Sequence, residues 1–182
     1  MGRKNAGESI RAAIEVVRPS LVLTCGFAGG LNPELPTGAI VFDEDMDAGI
    51  GEALLALGAI PAKFYCAKRV AVTVKEKEQL WQSTGADVVE MESSVIRNIC
   101  KQLDIPSATV RVISDAADED LPLDFNALMT TDDKINYGKL AWTVMTRPNK
   151  IPKLIQFQRV TLLTAQKLAG VLNDLLARVR LR

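Results

Sequence analysis

PSATVRVISD, residues 106–115, is a run rich in β-branched residues that stops on a serine and an aspartate. Thr109, Val110, Val112 and Ile113 favour an extended chain, so the run reads as a strand with its acidic residue just past the end. Working outward, SLVLTC at 20–25 is a short apolar run that breaks at Gly26 and reads as a second, buried strand. Gly26-Phe27-Ala28-Gly29-Gly30 then reads as a tight loop. GAIVF at 38–42 and RVAVTV at 69–74 give two more strands, and 86–89 leads into a helix over about 91–103. Helical spacing of Ile10, Ala13, Ile14 and Val17 predicts a helix over 5–18, ended by Pro19. Further helices are expected at 48–57, at 76–83, at about 124–146 and, past Pro148 and Pro152, to about 178. Strands alternating with helices predict an α/β fold, with a parallel or mixed sheet covered on both faces. In such sheets ligands bind beyond the carboxyl ends of the strands, where the glycine segment and Asp115 fall.

Composition narrows the chemistry. The 182 residues amount to one domain, 1–182, and a chain of that size buries roughly 70% of its unfolded surface without staples. Lys and Arg total 22 against 22 Asp and Glu, so nothing points to nucleic acid or to a solvating acidic tail. The three cysteines, Cys25, Cys66 and Cys100, lie far apart without metal-ligand spacing, which fits a reducing cytoplasm and no metal site. There is no histidine, which excludes Ser-His-Asp and Cys-His mechanisms and leaves acid–base work to carboxylates or another non-histidine group. The polar start at Met1-Gly2-Arg3-Lys4-Asn5 has no signal-peptide core, and Ala6 stands where a myristoylation signal needs Ser or Thr. No apolar run is long enough to span a membrane.

Three segments carry the candidate chemistry. Gly26, Gly29 and Gly30 would let backbone approach a ligand closely, or would simply serve a turn that needs positive φ. Glu90 and Glu92 flank Met91 where a strand hands over to a helix, a position that the helix dipole alone would favour for carboxylates. Asp115 suits a catalytic site, and Asp118 suits the cap of the following turn. Arg111 and Asp115 fall on one strand face about 13 Å apart if the chain is fully extended, so pairing them directly needs a bend.

Taken together, VEMES at 89–93, VRVISDAAD at 110–118 and the strand-plus-glycine segment resemble the nucleoside phosphorylase/nucleosidase family. Within it they look like the methylthioadenosine/adenosylhomocysteine nucleosidase or hopanoid-associated phosphorylase branch. The resemblance implies a three-layer αβα sandwich on a mixed, mostly parallel sheet. It also implies cleavage of the N-glycosidic bond of a purine nucleoside without metal or organic cofactor, by a homo-oligomer. By the same resemblance, Asp115 protonates purine N7, Glu92 binds the ribose hydroxyls and Met91 packs on the sugar. Phe125 lines the sugar's 5′ side, and Phe27, Ala28 and Gly29 lie beneath the nucleoside. Arg111, Ser114 and Glu90 support the site.

The chain also departs from the family's pattern. Gly2-Arg3-Lys4 resembles a segment that follows amino-terminal strands in relatives, so those strands and their water-activating glutamate are expected to be missing. Edge exposure from that loss would favour subunit pairing. Thr24 and Phe27 stand where phosphate-using relatives carry arginine and serine, which favours hydrolysis over phosphorolysis. Arg3 and Lys4 are either replacement cations or solvated terminal charges. The stretch between Val74 and Gly85 is shorter than in close nucleosidases, and the base-stacking aromatic that they carry there has no evident counterpart. The alternatives are a phosphate-dependent phosphorylase and a catalytically idle nucleoside-binding or assembly paralogue.

Overall fold

A computed structural model describes residues 3–45, 47–130 and 136–179, without the side chains of Arg3 and Lys4. The chain runs α1 (Arg3–Val16), β1 (Val22–Gly30), β2 (Ile40–Glu44), α2 (Gly51–Ala56), β3 (Ile60–Pro61) and β4 (Phe64–Cys66). It continues α3 (Val74–Thr84), β5 (Val88–Glu90), α4 (Ser93–Gln102), β6 (Ser107–Asp115), α5 (Phe125–Leu128) and α6 (Tyr137–Thr146). A 3₁₀ turn, Pro148–Lys150, precedes α7 (Ile151–Val179). The cations of Arg3 and Lys4, and residues 131–135 of the helix expected over 124–146, lie outside the described residues.

One six-stranded sheet, ordered β3-β2-β6-β1-β5-β4, forms the middle layer. β1 lies parallel to β6, β2 to β3 and β4 to β5, while β2–β6 and β1–β5 are antiparallel. Alternation along β6 divides the core. Ala108, Val110 and Val112 face Leu54, Leu168 and Leu175 of α2 and α7. On the opposite face α1 and α4 supply Ile10, Ile14 and Cys100 against Val22 and Ile105. These two helical layers around the sheet are the expected αβα sandwich. No helix among the described residues is long and apolar enough to cross a membrane.

Three expectations need correction. The helix expected over about 124–146 is broken: α5 ends at Leu128, where Met129 turns extended, and α6 starts only at Tyr137, capped by Asn136. The glycine segment 26–30 is not a loop but the second half of β1, where Gly26, Phe27 and Ala28 pair with Arg111, Val112 and Ile113. Gly29 and Gly30 also pair with Val89 and Val88. Ladders on both sides override glycine's weak strand preference. RVAVTV at 69–74, by contrast, is not a strand. The amide and carbonyl of Val70 bond the side chain of Asn126, the Val72 amide donates to Glu76, and the Val72 carbonyl accepts from Leu121. With those groups satisfied by side chains and a loop, the alternating sequence forms no ladder. The sheet ends instead in β3 and β4, of two and three residues, so the long strands β1 and β6 lie inside it.

Candidate active site

Asp115 ends β6 beside an irregularity in the ladder. Ala28 pairs with Ile113 but Gly29 with Asp115, so Ser114 is the extra residue of a bulge. Bulges re-aim side chains at the ends of strands. The Asp115 side chain is 8% exposed and Lys77 Nζ lies 2.7 Å from its Oδ2. Ser114 Oγ is 2.6 Å from Oδ1 and 3.3 Å from the carbonyl of Ala28. A hydroxyl has one proton, so Ser114 donates to an ionised Asp115, or accepts from a protonated one while donating to Ala28. Burial pushes the proton affinity of Asp115 up. The charge and hydrogen bond of Lys77 and the bond from Ser114 pull it down, and Glu119 adds a small upward push. The balance lies above the ordinary carboxyl range.

The two carboxylates around Met91 divide their work. Glu90 is buried and accepts from the amides of Glu92 and Ser93 and from Ser93 Oγ, at 2.9, 2.8 and 2.8 Å. It therefore caps the start of α4. Arg111 Nη2 lies 3.3 Å from Glu90, and its Nη1 3.4 Å from Thr24 Oγ1. Burial raises the proton affinity of Glu90, but the bonds from Ser93 and Glu92 and the Arg111 charge outweigh it, so the carboxyl lies below its usual range. Glu92 occupies the N-cap position yet makes no capping bond with its side chain. The dipole reading thus applies to Glu90. Glu119, not Asp118, closes the turn after β6, accepting from the Ala116 amide.

These elements enclose a cavity of about 340 Å³. Phe27, Ala28, Gly29, Glu90, Met91, Glu92, Ser114, Asp115 and Phe125 all line it. Arg111 stays behind the wall, committed to Glu90 rather than pairing with Asp115. Asp124 caps α5, accepting from the amides of Asn126 and Ala127, and so fixes Phe125 at its first turn. Phe125 packs on Phe157 of α7, ring centroids 5.9 Å apart. Arg69, Met129, Phe157 and Thr161 also line the cavity, without any signal in their local sequence to mark them. Lys77 is the other residue that sequence reasoning missed. A wider hollow of about 440 Å³ lies against α6, but its Asp120 and Asp124 carboxylates are spent on backbone amides. The smaller cavity is the one that brings the residues singled out in the sequence together.

The profile described as "Phosphorylase superfamily" matches residues 39–141, more than half of the chain. The chain belongs to the phosphorylase superfamily. Among curated relatives of this superfamily member, a 5′-methylthioadenosine/S-adenosylhomocysteine nucleosidase of Glaesserella parasuis is 26% identical over 162 residues, covering 71% of this chain and 70% of that protein. One from Staphylococcus saprophyticus is also 26% identical and covers 71% of each. Futalosine hydrolase of Helicobacter pylori superposes with a TM-score of 0.69 at 17% identity, over 98% of this chain and 76% of the other. A Campylobacter jejuni nucleosidase does so with a TM-score of 0.59 at 21% identity, over 70% and 69%. The two solved structures bear out the mixed-sheet α/β fold.

In this phosphorylase-superfamily site the β1 glycines provide room for the aspartate turn. A Cβ on Gly30 would lie 3.3 Å from backbone atoms of Asp115, Ala116 and Ala117. Gly30→Ala must therefore shift that backbone by a few tenths of an ångström. Turnover of an accepted substrate is expected to fall about tenfold with the fold intact, checked by steady-state kinetics beside a melting curve. Unchanged turnover would mean that the turn tolerates displacement.

Proposed function

We propose that this chain hydrolyses the N-glycosidic bond of a purine nucleoside of the methylthioadenosine or adenosylhomocysteine type. The observation that carries the reading is a buried carboxyl with raised proton affinity, Asp115, sharing one cavity with Glu92. The relatives named as nucleosidases support the same substrate class.

Breaking the bond between C1′ and N9 sends its electron pair to the base and leaves positive charge on the ribose. Asp115 donates its proton to N7, so the base leaves neutral. Glu92 accepts hydrogen bonds from the ribose hydroxyls and sets a negative charge beside the developing cation. Met91 gives the sugar a soft, adaptable surface, Phe125 and Phe157 shape its 5′ side, and Phe27, Ala28 and Gly29 lie beneath the nucleoside. Water adds to C1′ and releases a proton to solvent, from which Asp115 is recharged. Phosphate is disfavoured as the acceptor, because Arg111 is held by Glu90 and Thr24, and Arg69 at the cavity wall is paired with Glu76 at 2.8 Å. The reading includes self-association, supported by the exposed Tyr137, Trp142 and Met145 of α6, and residence in a reducing cytoplasm, supported by three free cysteines.

Chromatography of the pure protein incubated with methylthioadenosine, adenosylhomocysteine, adenosine and inosine, with and without phosphate, tests this reading. Free base and free ribose sugar at equal rates in both conditions are expected. Release that depends on phosphate would overturn the choice of water, and binding without release would make the chain a nucleoside-binding protein.

A further inference from the structure

Lys77 is fully buried, yet it is the fourth residue of α3, near the helix end where a cation is least favoured. Helix stability does not account for it, since Thr73 and Glu76 already form a capping box there. A buried ammonium persists only if its donors are satisfied. All three are: Nζ lies 2.7 Å from Asp115 Oδ2, 2.6 Å from the Ala116 carbonyl and 2.7 Å from the Glu119 carbonyl. One side chain thus holds the carboxyl and the turn that follows it.

We infer that Lys77 is a positioning residue for the proton donor, clamping Oδ2 of Asp115 so that Oδ1 is the oxygen that meets the base. The inference rests on the proposed nucleoside cleavage for its catalytic consequence but not for the clamp itself. With Oδ2 taken by Lys77, the proton to be donated resides on Oδ1, the oxygen to which Ser114 Oγ donates while the carboxyl is ionised. A second hollow that Asp115 lines also carries Asp118, Glu119, Asp120 and Lys153. Glu119, from the turn, has its carboxylate 3.0 Å from both Thr37 Oγ1 and the Ala116 amide. Glu90 of β5 and Arg111 of β6 neutralise one another, and Glu92 and Arg69 line the cavity. Among the described residues Lys77 is the cation ion-paired with Asp115, and it counters part of the rise that burial imposes. Without it the carboxyl would hold its proton to higher pH but would be free to turn.

Carboxyl ¹³C resonances of the full chain, with Asp115 assigned by its loss in Asp115→Asn, read the clamp without any need for turnover. In Lys77→Met, and to a smaller extent in Lys77→Gln, the Asp115 midpoint is expected to rise by about one pH unit. The descending alkaline limb of kcat should move with it. Turnover should fall about tenfold at the optimum while KM moves less, since the carboxyl is misplaced rather than the sugar lost. A midpoint that stays or falls in a folded variant overturns the inference. A natural chain that releases no base would sink the cleavage reading yet leave this titration readable. Should neither variant fold, ¹⁵N-lysine labelling of the natural chain decides: three buried hydrogen bonds should make the Lys77 ammonium protons exchange slowly at neutral pH, and fast exchange overturns the clamp.

Discussion

Replacing Asp115 by asparagine is expected to lower base release by about 10²–10⁴-fold, the contribution of a positioned general acid. The amide has almost the same shape, so what is lost is the proton and the charge. Its carbonyl oxygen can still accept from Lys77, and its NH₂ can replace the bond to Ser114 Oγ. Nucleoside affinity should therefore change much less than turnover. Lys77 loses its carboxylate partner while staying fully buried, so some loss of stability accompanies the change. Circular dichroism and a melting curve must show a folded variant before its rate is interpreted. The alkaline limb of the natural chain, where activity falls as Asp115 ionises, should vanish from the residual rate. A rate within a few-fold of the natural chain's would remove Asp115 from the proton transfer.

The second large effect is on stability. Glu90→Ala strips a 4%-exposed Arg111 of its carboxylate and leaves the Glu92 and Ser93 amides without their acceptor. Removing one partner of a buried ion pair costs about 3–5 kcal/mol. For a chain of this size that corresponds to a fall in Tm on the order of 10 °C. Glu90→Gln keeps the shape and one acceptor oxygen and should lose less. Pairing it with Arg111→Met should recover part of the loss, because the uncompensated guanidinium is gone. The sign with pH follows from the lowered proton affinity of Glu90 in the fold. Its contribution is fully present above the unfolded carboxyl value of 4.5 and is lost as pH falls through the lower folded value. Denaturant midpoints from neutral pH down to the acid limit should thus converge for the natural chain and Glu90→Gln. A constant gap over that range would locate the stabilisation elsewhere.

Where sequence and structure agree, the cause is local. β6 was legible because Thr109, Val110, Val112 and Ile113 carry their strand preference wherever they pack. The cavity residues were legible because two short motifs keep their spacing in the fold: Met91 and Glu92 at the β5–α4 handover, Ser114 and Asp115 at the end of β6. Where they differ, a distant partner decides. Gly26–Gly30 continues β1 because β6 and β5 pair with it, and neither is nearby in sequence. Residues 69–74 alternate like a strand, but Asn126, 56 residues on, takes the backbone of Val70. Lys77 looked like any solvated helix charge, since its carbonyl partners lie 39 and 42 residues further along the chain. β3 and β4 are too short for any periodicity to declare them.

Proton delivery to N7 can be tested on the substrate rather than on the protein. The accepted nucleoside and its 7-deaza analogue, which carries C–H in place of N7, differ at the one atom that Asp115 is proposed to protonate. The analogue should bind with similar affinity, measured by calorimetry, and release no base over many turnovers of the parent compound. Cleavage of the analogue at a rate comparable to the parent's would contradict the account at its centre.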